Sequence, residues 1–430
     1  MKRAFSFGLD REWLVIVTGI AFIAATYGLV RLAYGLFLPD IQTALALDSA
    51  GAGYISAGSS LVYCLAALCG FLFGRQCPRM LIVVATATAA GGVWGMAAAA
   101  HLVAFGLFAV IASVGAGLAS PAMVSVVRRN IAVERVDRGQ SMVNSGTGPG
   151  LIGAGLLALL FLPGWRLTWV VIGVITVLIS AALLTADRPD PAERDEHAKA
   201  LSADWVRRHR TALTIAVLLG VASSAMWTYG RAILVDTGGS SQRGTIVAWI
   251  MIGIGGAAVA LTATPLARWS ATSAWTLSCG TMTVGILVVA AVPGQLIVSL
   301  VGCLLFGWGF TSSTSALIAW TSTIDATRSA AGTALLFIAM VFGQAVGATA
   351  LGAIITAAGY GAAFVVAAAI AAMSIAVSTL ARTDRRAEAD EPDASVDSVR
   401  APSREPGQQL SAGPAPAERV AGELGAQQCH

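Results

Sequence analysis

The sequence predicts an all-α protein that lives in a lipid bilayer, with twelve membrane-spanning helices. Three observations carry that reading. The 430 residues are 56% hydrophobic and only 12% charged, where soluble domains carry about 25% charged residues. The mean hydropathy is +0.76. Apolar runs of about 20 residues, enough for a helix to cross the hydrocarbon, recur from Trp13 to Leu380. The net charge of +4 is too small to argue for a nucleic-acid partner, and none is expected.

The first run, Trp13 to Pro39, holds one charge, Arg31. Met1-Lys2-Arg3 ahead of it has the look of a signal peptide. The run is too long for one, however, and no Ala-x-Ala-type site precedes Pro39, so an uncleaved helix is expected. The expected spans are 13–38, 50–73, 80–100, 102–127, 139–162 and 165–186, then 211–235, 244–266, 273–292, 294–317, 332–356 and 360–381. This divides the chain into a six-helix half at 1–186, a charged central loop at 187–210, a second half at 211–381 and a tail at 382–430. The tail is rich in Pro, Glu, Asp, Arg, Ser and Gly and is expected to be disordered. The six cysteines (Cys64, Cys69, Cys77, Cys279, Cys303, Cys429) show no metal-ligand spacing and read as small hydrophobes.

The basic residues orient the bundle. Short segments on the side of the N-terminus carry 11 Lys and Arg, and the opposite side only Arg166 and Arg243. The positive-inside rule places both termini in the cytoplasm, with the protein in the inner (cytoplasmic) membrane. An internal repeat is also visible. Tyr27-x3-Arg31 returns as Trp227-x3-Arg231, and Gly115-Ala-Gly117-Leu-Ala-Ser120 as Gly307-Trp-Gly309-Phe-Thr-Ser312. Gly148 and Gly153 return as Gly347 and Gly352. Two parallel halves with a site at the midplane between them are a transporter design.

Twelve spans, a central loop and two six-helix halves resemble the major facilitator superfamily (MFS) over about residues 13–381. Gly70-Phe-Leu-Phe-Gly74-Arg75-Gln-Cys-Pro-Arg79 resembles the family's loop between helices 2 and 3, with Gly74 where that pattern has Asp. Ser145-Gly146-Thr-Gly148-Pro149-Gly150-Leu-Ile-Gly153 resembles the Gly-Pro motif of the superfamily's antiporters. Arg31-Leu-Ala-Tyr34-Gly-x3-Pro39 is similar to bacterial permeases labelled sugar- or drug-efflux proteins. The resemblance implies secondary transport by alternating access.

Arg31 and Arg231 lead the candidate site. At about 1.5 Å per residue, Arg31 lies roughly 12 Å below Pro39, inside the hydrocarbon. A guanidinium there costs at least about 2.5–3.5 kcal/mol on insertion scales and is retained where it faces a cavity or a partner. The pair resembles the two arginines of organophosphate:phosphate antiporters, one in helix 1 and one in helix 7, which together bind the anion. By that resemblance, Arg31 and Arg231 converge on one cavity. The alternative is that each snorkels or bonds to carbonyls and braces the bundle. Tyr27, Tyr34 and Trp227 are expected beside them, as ligands or as packing. Asn144 and Gln344, at an offset of 200, either line the cavity or bond between helices. Ser113, Ser120, Ser223 and Ser224 are weaker candidates. Gly146, Gly148, Pro149, Gly150 and Gly153 permit close approach and a kink in the fifth span, and Gly74, Arg75 and Arg79 join them as conformational candidates.

No Asp or Glu lies in the middle of a span; Asp40 and Asp236 are near span ends, and His101 near a loop. Two arginines without a carboxylate point to an anionic cargo, moved with protons or against a counter-anion. The alternative is a drug or sugar efflux permease with structural arginines. No zinc, P-loop or nucleophile-elbow motif supports an enzyme, and no cofactor is expected. A membrane sensor or an enzyme is the remote alternative.

Overall fold

The computed structural model describes residues 11–73, 76–188 and 202–390. Among them all regular structure is helical. Eleven stretches are long and apolar enough to cross a membrane. The last, Ala326–Leu380, is divided at Gly359, whose φ of +82° is open to glycine without strain, so the spans number twelve. In order they are α1 (Arg11–Leu45), α2 (Ser49–Phe73), α3 (Pro78–Ala98), α4 (Leu102–Asn130), α5 (Val136–Asn144 and Thr147–Leu160) and α6 (Trp165–Ala186). Then come α7 (Arg210–Asp236), α8 (Gln242–Leu266), α9 (Ala271–Ala291), α10 (Leu296–Ile324), α11 (329–358) and α12 (360–390). Large aliphatic side chains such as Val103, Leu160, Leu178, Leu261 and Ile297 face outward. That is the pattern of a bundle solvated by lipid rather than water.

Several limits differ from the expected ones. α1 runs through Pro39 to Leu45, which places Asp40 on a helix rather than in a loop. α4 and α10 reach Asn130 and Ile324, so Arg128 and Arg129 lie in a last helical turn, where cations suit the helix dipole. The central loop holds a short helix, Ala203–Arg208, capped by Ser202, with the Trp205 indole donating to Asp325 Oδ2 at 2.9 Å. α12 continues to Asp390, into the segment expected to be disordered from 382. Its Arg-Arg-Ala-Glu-Ala run has good helix propensity. Beyond 390 that expectation lies outside the described residues.

α1 is not a uniform α-helix. Ala24–Leu32 forms π-turns, a geometry concentrated at functional sites. There Gly28 meets Gly150 of α5, where a Cβ on Gly150 would overlap the Ala24 carbonyl oxygen. α5 itself breaks between Asn144 and Thr147, just ahead of Pro149, whose ring nitrogen cannot donate to the preceding turn. Gly150→Ala should destabilise the protein by about 1–3 kcal/mol through overpacking. Gly153→Ala should do far less, because its Cβ would rest 3.5 Å from Leu29 Cδ2. Thermal melts of the detergent-solubilised variants check the contrast; equal melting would mean α1 and α5 separate without cost.

Candidate functional site

The π-turns of α1 carry Tyr27 and Arg31, and Arg31 reaches the middle of the bundle. Its guanidinium lies over two rings, 5.2 Å from the Tyr27 centroid and 4.8 Å from that of Tyr63 on α2. The rings meet edge to face at 5.9 Å. Nη2 of Arg31 donates to Ser60 Oγ at 3.2 Å and to Gln344 Oε1 of α11 at 3.0 Å. Its Nε has no hydrogen-bond partner among the described residues. Among the described residues no carboxylate pairs with Arg31.

Arg31 and Gln344 face a central cavity of about 40 Å³, which Tyr34, Trp227, Ser56 and Thr228 also line. At roughly 10–15 Å³ per water, that is room for about three waters. Tyr34 donates to the Ala52 carbonyl at 3.1 Å. Trp227 packs edge to face on Phe306 and Phe310, with centroids 5.2 and 5.1 Å away, and its indole N–H is unpartnered. Gln344 Nε2 is unpartnered as well. Its orientation follows from chemistry: the oxygen must face the Arg31 donor, so the amide nitrogen faces away.

Residues 20–335 match the family model described as Major Facilitator Superfamily. The chain belongs to the major facilitator superfamily. Its fold is similar to that of solved transporters. The nucleoside transporter NupG superposes with a TM-score of 0.69 at 11% identity, covering 86% of this chain and 99% of its own. The D-xylose-proton symporter gives 0.64 at 15% identity, covering 85% and 97%. A bacterial homologue of the human lysosomal transporter Spinster, in an inward-facing and occupied conformation, gives 0.63 at 14%, covering 86% and 95%. No curated protein sequence matches the chain.

In this MFS protein the two arginines do not meet. Arg231 of α7 is buried and lines a second cavity, of about 410 Å³, with Asp40 and Asp236. Its Nη1 donates to the Leu36 carbonyl and to Asp40 Oδ2, both at 2.5 Å, and its Nε to Thr245 Oγ1 at 3.0 Å. Gln242 of α8 donates to Asp40 Oδ1 at 2.8 Å. The expectation that Arg231 lacks a carboxylate is therefore corrected: the helical continuation of α1 past Pro39 turns Asp40 toward α7. At about 1.5 Å of rise per residue, Leu36 and Asp40 lie roughly 8 and 14 Å further along α1 than Arg31. Asn144 is also apart from the cavity; it is exposed and accepts from Gln140 Nε2 at 3.1 Å.

The conformational candidates divide similarly. Gly146 and Gly150 press α5 onto α1, and Gly148 faces Gly253 and Ala257 of α8. Gly153 makes ordinary contact and Pro149 is exposed. Gly74 and Arg75 lie outside the described residues. Arg79 caps the end of α6, donating to the Leu184 carbonyl at 3.1 Å and lying 3.8 Å from buried Asp187. Arg129 Nε and Asn130 Nδ2 each donate to the same carboxylate at 2.8 Å.

Hydrogen bonds between α1–α6 and α7–α12 follow a pattern. Among the described residues they run from Cys64–Ile338 and Arg31–Gln344 at the middle, through Ser56–Thr228, to Tyr229–Ser49, Ser49–Tyr360 and Arg231–Asp40. None lies on the arginine-rich side. The halves are thus closed on the side opposite the arginine-rich turns. Asp40→Asn would leave the Arg231 charge buried without its counter-ion, a change that costs about 3–5 kcal/mol in comparable pairs. Adding Arg231→Gln to Asp40→Asn should return much of the loss. Melting of the two singles and the double variant measures this coupling; additive losses would show that the pair does not interact.

Proposed function

We propose that the protein is a secondary transporter that moves a small organic anion by alternating access, with Arg31 as the group that binds it. One observation carries the reading: a guanidinium in the central cavity with no carboxylate among the described residues to neutralise it. Solvation lost by a buried cation must be replaced. Two tyrosine faces, one hydroxyl and one amide oxygen replace part of it. The unpartnered groups around the cavity are all donors, namely Arg31 Nε, Gln344 Nε2 and Trp227 Nε1. An oxyanion supplies the acceptors they lack, and the planar guanidinium fork suits carboxylate or phosphate.

The same bond gives the site its link to motion. Arg31 is on α1 and Gln344 on α11, so an anion that takes the guanidinium competes with a contact between the halves. Arg231 then has a different task, as the buried tie that holds the opposite side shut through Asp40. With the arginine-rich side in the cytoplasm, the described form is closed to the outside. A counter-anion, or a weak acid carrying its own proton, balances the charge moved. A neutral hydroxylated cargo with Arg31 as a brace is the second reading, favoured by the five serines and Thr228 of the cavity wall.

A melting screen of purified protein against anionic, neutral and cationic metabolites should show stabilisation by anions. Arg31→Gln should weaken that response by roughly 10- to 150-fold in apparent affinity, the worth of one charged hydrogen bond. Arg31→Lys should recover only part of it. Unchanged anion binding in both variants would leave Arg31 a brace. Orientation is tested separately: a cysteine at exposed Asp48 (Asp48→Cys) should react with an impermeant thiol reagent on intact cells. Labelling only after permeabilisation would reverse the topology.

A further inference from the structure

We infer that the anion taken at Arg31 also carries hydroxyl groups, so that the ligand is a small hydroxy acid of a few carbons. This rests on the anion reading of the same site. The cavity lining offers two kinds of group. Around Arg31 the open positions are donors, as on Gln344 and Trp227, which are themselves more than nine-tenths buried. The serine wall is the reverse. Ser59 on α2 and Ser113 on α4 both donate to the Ala109 carbonyl, each at 3.3 Å. Ser224 on α7 donates to the Val221 carbonyl at 2.7 Å. All three line the cavity.

A hydroxyl has one proton and two lone pairs. Once its proton is committed to a carbonyl, it offers the cavity only acceptors. Held that way, these serines present lone pairs that favour a ligand donor over a carboxylate. A ligand ammonium is the poorer donor, because among the described residues no carboxylate lines the cavity to pair with it. A ligand hydroxyl meets the serine lone pairs without that penalty. The remaining pair, Ser56 and Thr228, lie 3.0 Å apart across the two halves and leave one further hydroxyl proton for a ligand oxygen. An oxyanion at one end and hydroxyl donors along the stem match the wall from Arg31 to Ser59. The cavity volume of about 40 Å³ sets the scale. Roughly three waters fit in this form, the scale of a chain of a few carbons.

The test uses the purified full chain and four probes: D-glycerate, L-lactate, propionate and glycerol. The three acids share one charge and carry two, one and no hydroxyls; glycerol carries hydroxyls and no charge. Titrating the melting temperature with each should rank glycerate above lactate above propionate. Each hydroxyl is expected to add roughly 2- to 12-fold in apparent affinity, and glycerol should give no shift. Propionate matching glycerate overturns this inference and leaves the anion reading standing. Glycerol matching glycerate overturns the anion reading itself. No shift with any acid at saturating solubility overturns the hydroxy-acid assignment. Ser59→Ala with Ser113→Ala should collapse the glycerate-to-propionate ratio, and Ser224→Ala serves as the second variant if that pair does not fold. A ratio that persists in a folded variant overturns the role given to these serines.

Discussion

The arrangement depends on one uncompensated cation. Arg31 sits where solvation is scarce, and everything around it acts as partial solvent. Tyr27 and Tyr63 present ring faces, Ser60 a lone pair and Gln344 an amide oxygen. Arginine cannot escape by losing its proton, so the charge persists in every state of the protein. Three of its four partners belong to the first half and one to the second. Whatever replaces Gln344 at the guanidinium also changes how the halves are joined. The Arg31–Gln344 bond thus ties this cation to both halves, beside the Ser56–Thr228 bond at the same cavity.

The second arginine shows what a compensated cation does in the same bundle. Arg231 has a carboxylate, a carbonyl and a hydroxyl, and Asp40 has a further donor in Gln242. A site so fully satisfied has little left for a ligand. Its value lies in position, between α1, α7 and α8, where the halves close. Removing one partner would strand the other, which is why such pairs act better as ties than as sources of net stability. The two arginines repeat in sequence but differ in setting, because among the described residues only Arg231 pairs with an aspartate.

Much of the architecture was legible from hydropathy: the spans recur at lengths the bilayer dictates, and the arginine-bearing turns fall together. Gln344 and Trp227 were also legible, as polar or aromatic groups within apolar runs, and both reach the cavity. The separation of Arg31 and Arg231 was not, because their matched spacing along two helices says nothing about Asp40, nine residues beyond Arg31, pairing with Arg231 instead. Pro39 suggested an end to α1, and with it a loop for Asp40; the helix passes through, since a proline forfeits one bond and the bundle supplies others. Tyr63 and Ser60 were missed because aromatic and small hydroxyl residues are ordinary in such helices. Asn144 matched Gln344 by offset alone, and an offset fixes position along a helix, not the face presented.

The π-turns of α1 join these strands of the argument. They occupy Ala24–Leu32, where Gly28 lets α5 approach through Gly150. Neither residue is polar, yet their contact fixes the stretch that carries Tyr27 and Arg31. α5 is itself broken at Ser145–Gly146, and Gly148 on its other side meets α8 of the second half. A movement between the halves that shifts α8 against α5 is therefore felt at α1 through backbone contacts with no side chain to absorb it. Packed interiors transmit such displacements because they contain few voids. The glycines of α5 consequently bear on the position of the guanidinium from one side while Gln344 bears on it from the other, so the cation is held between contacts from both halves.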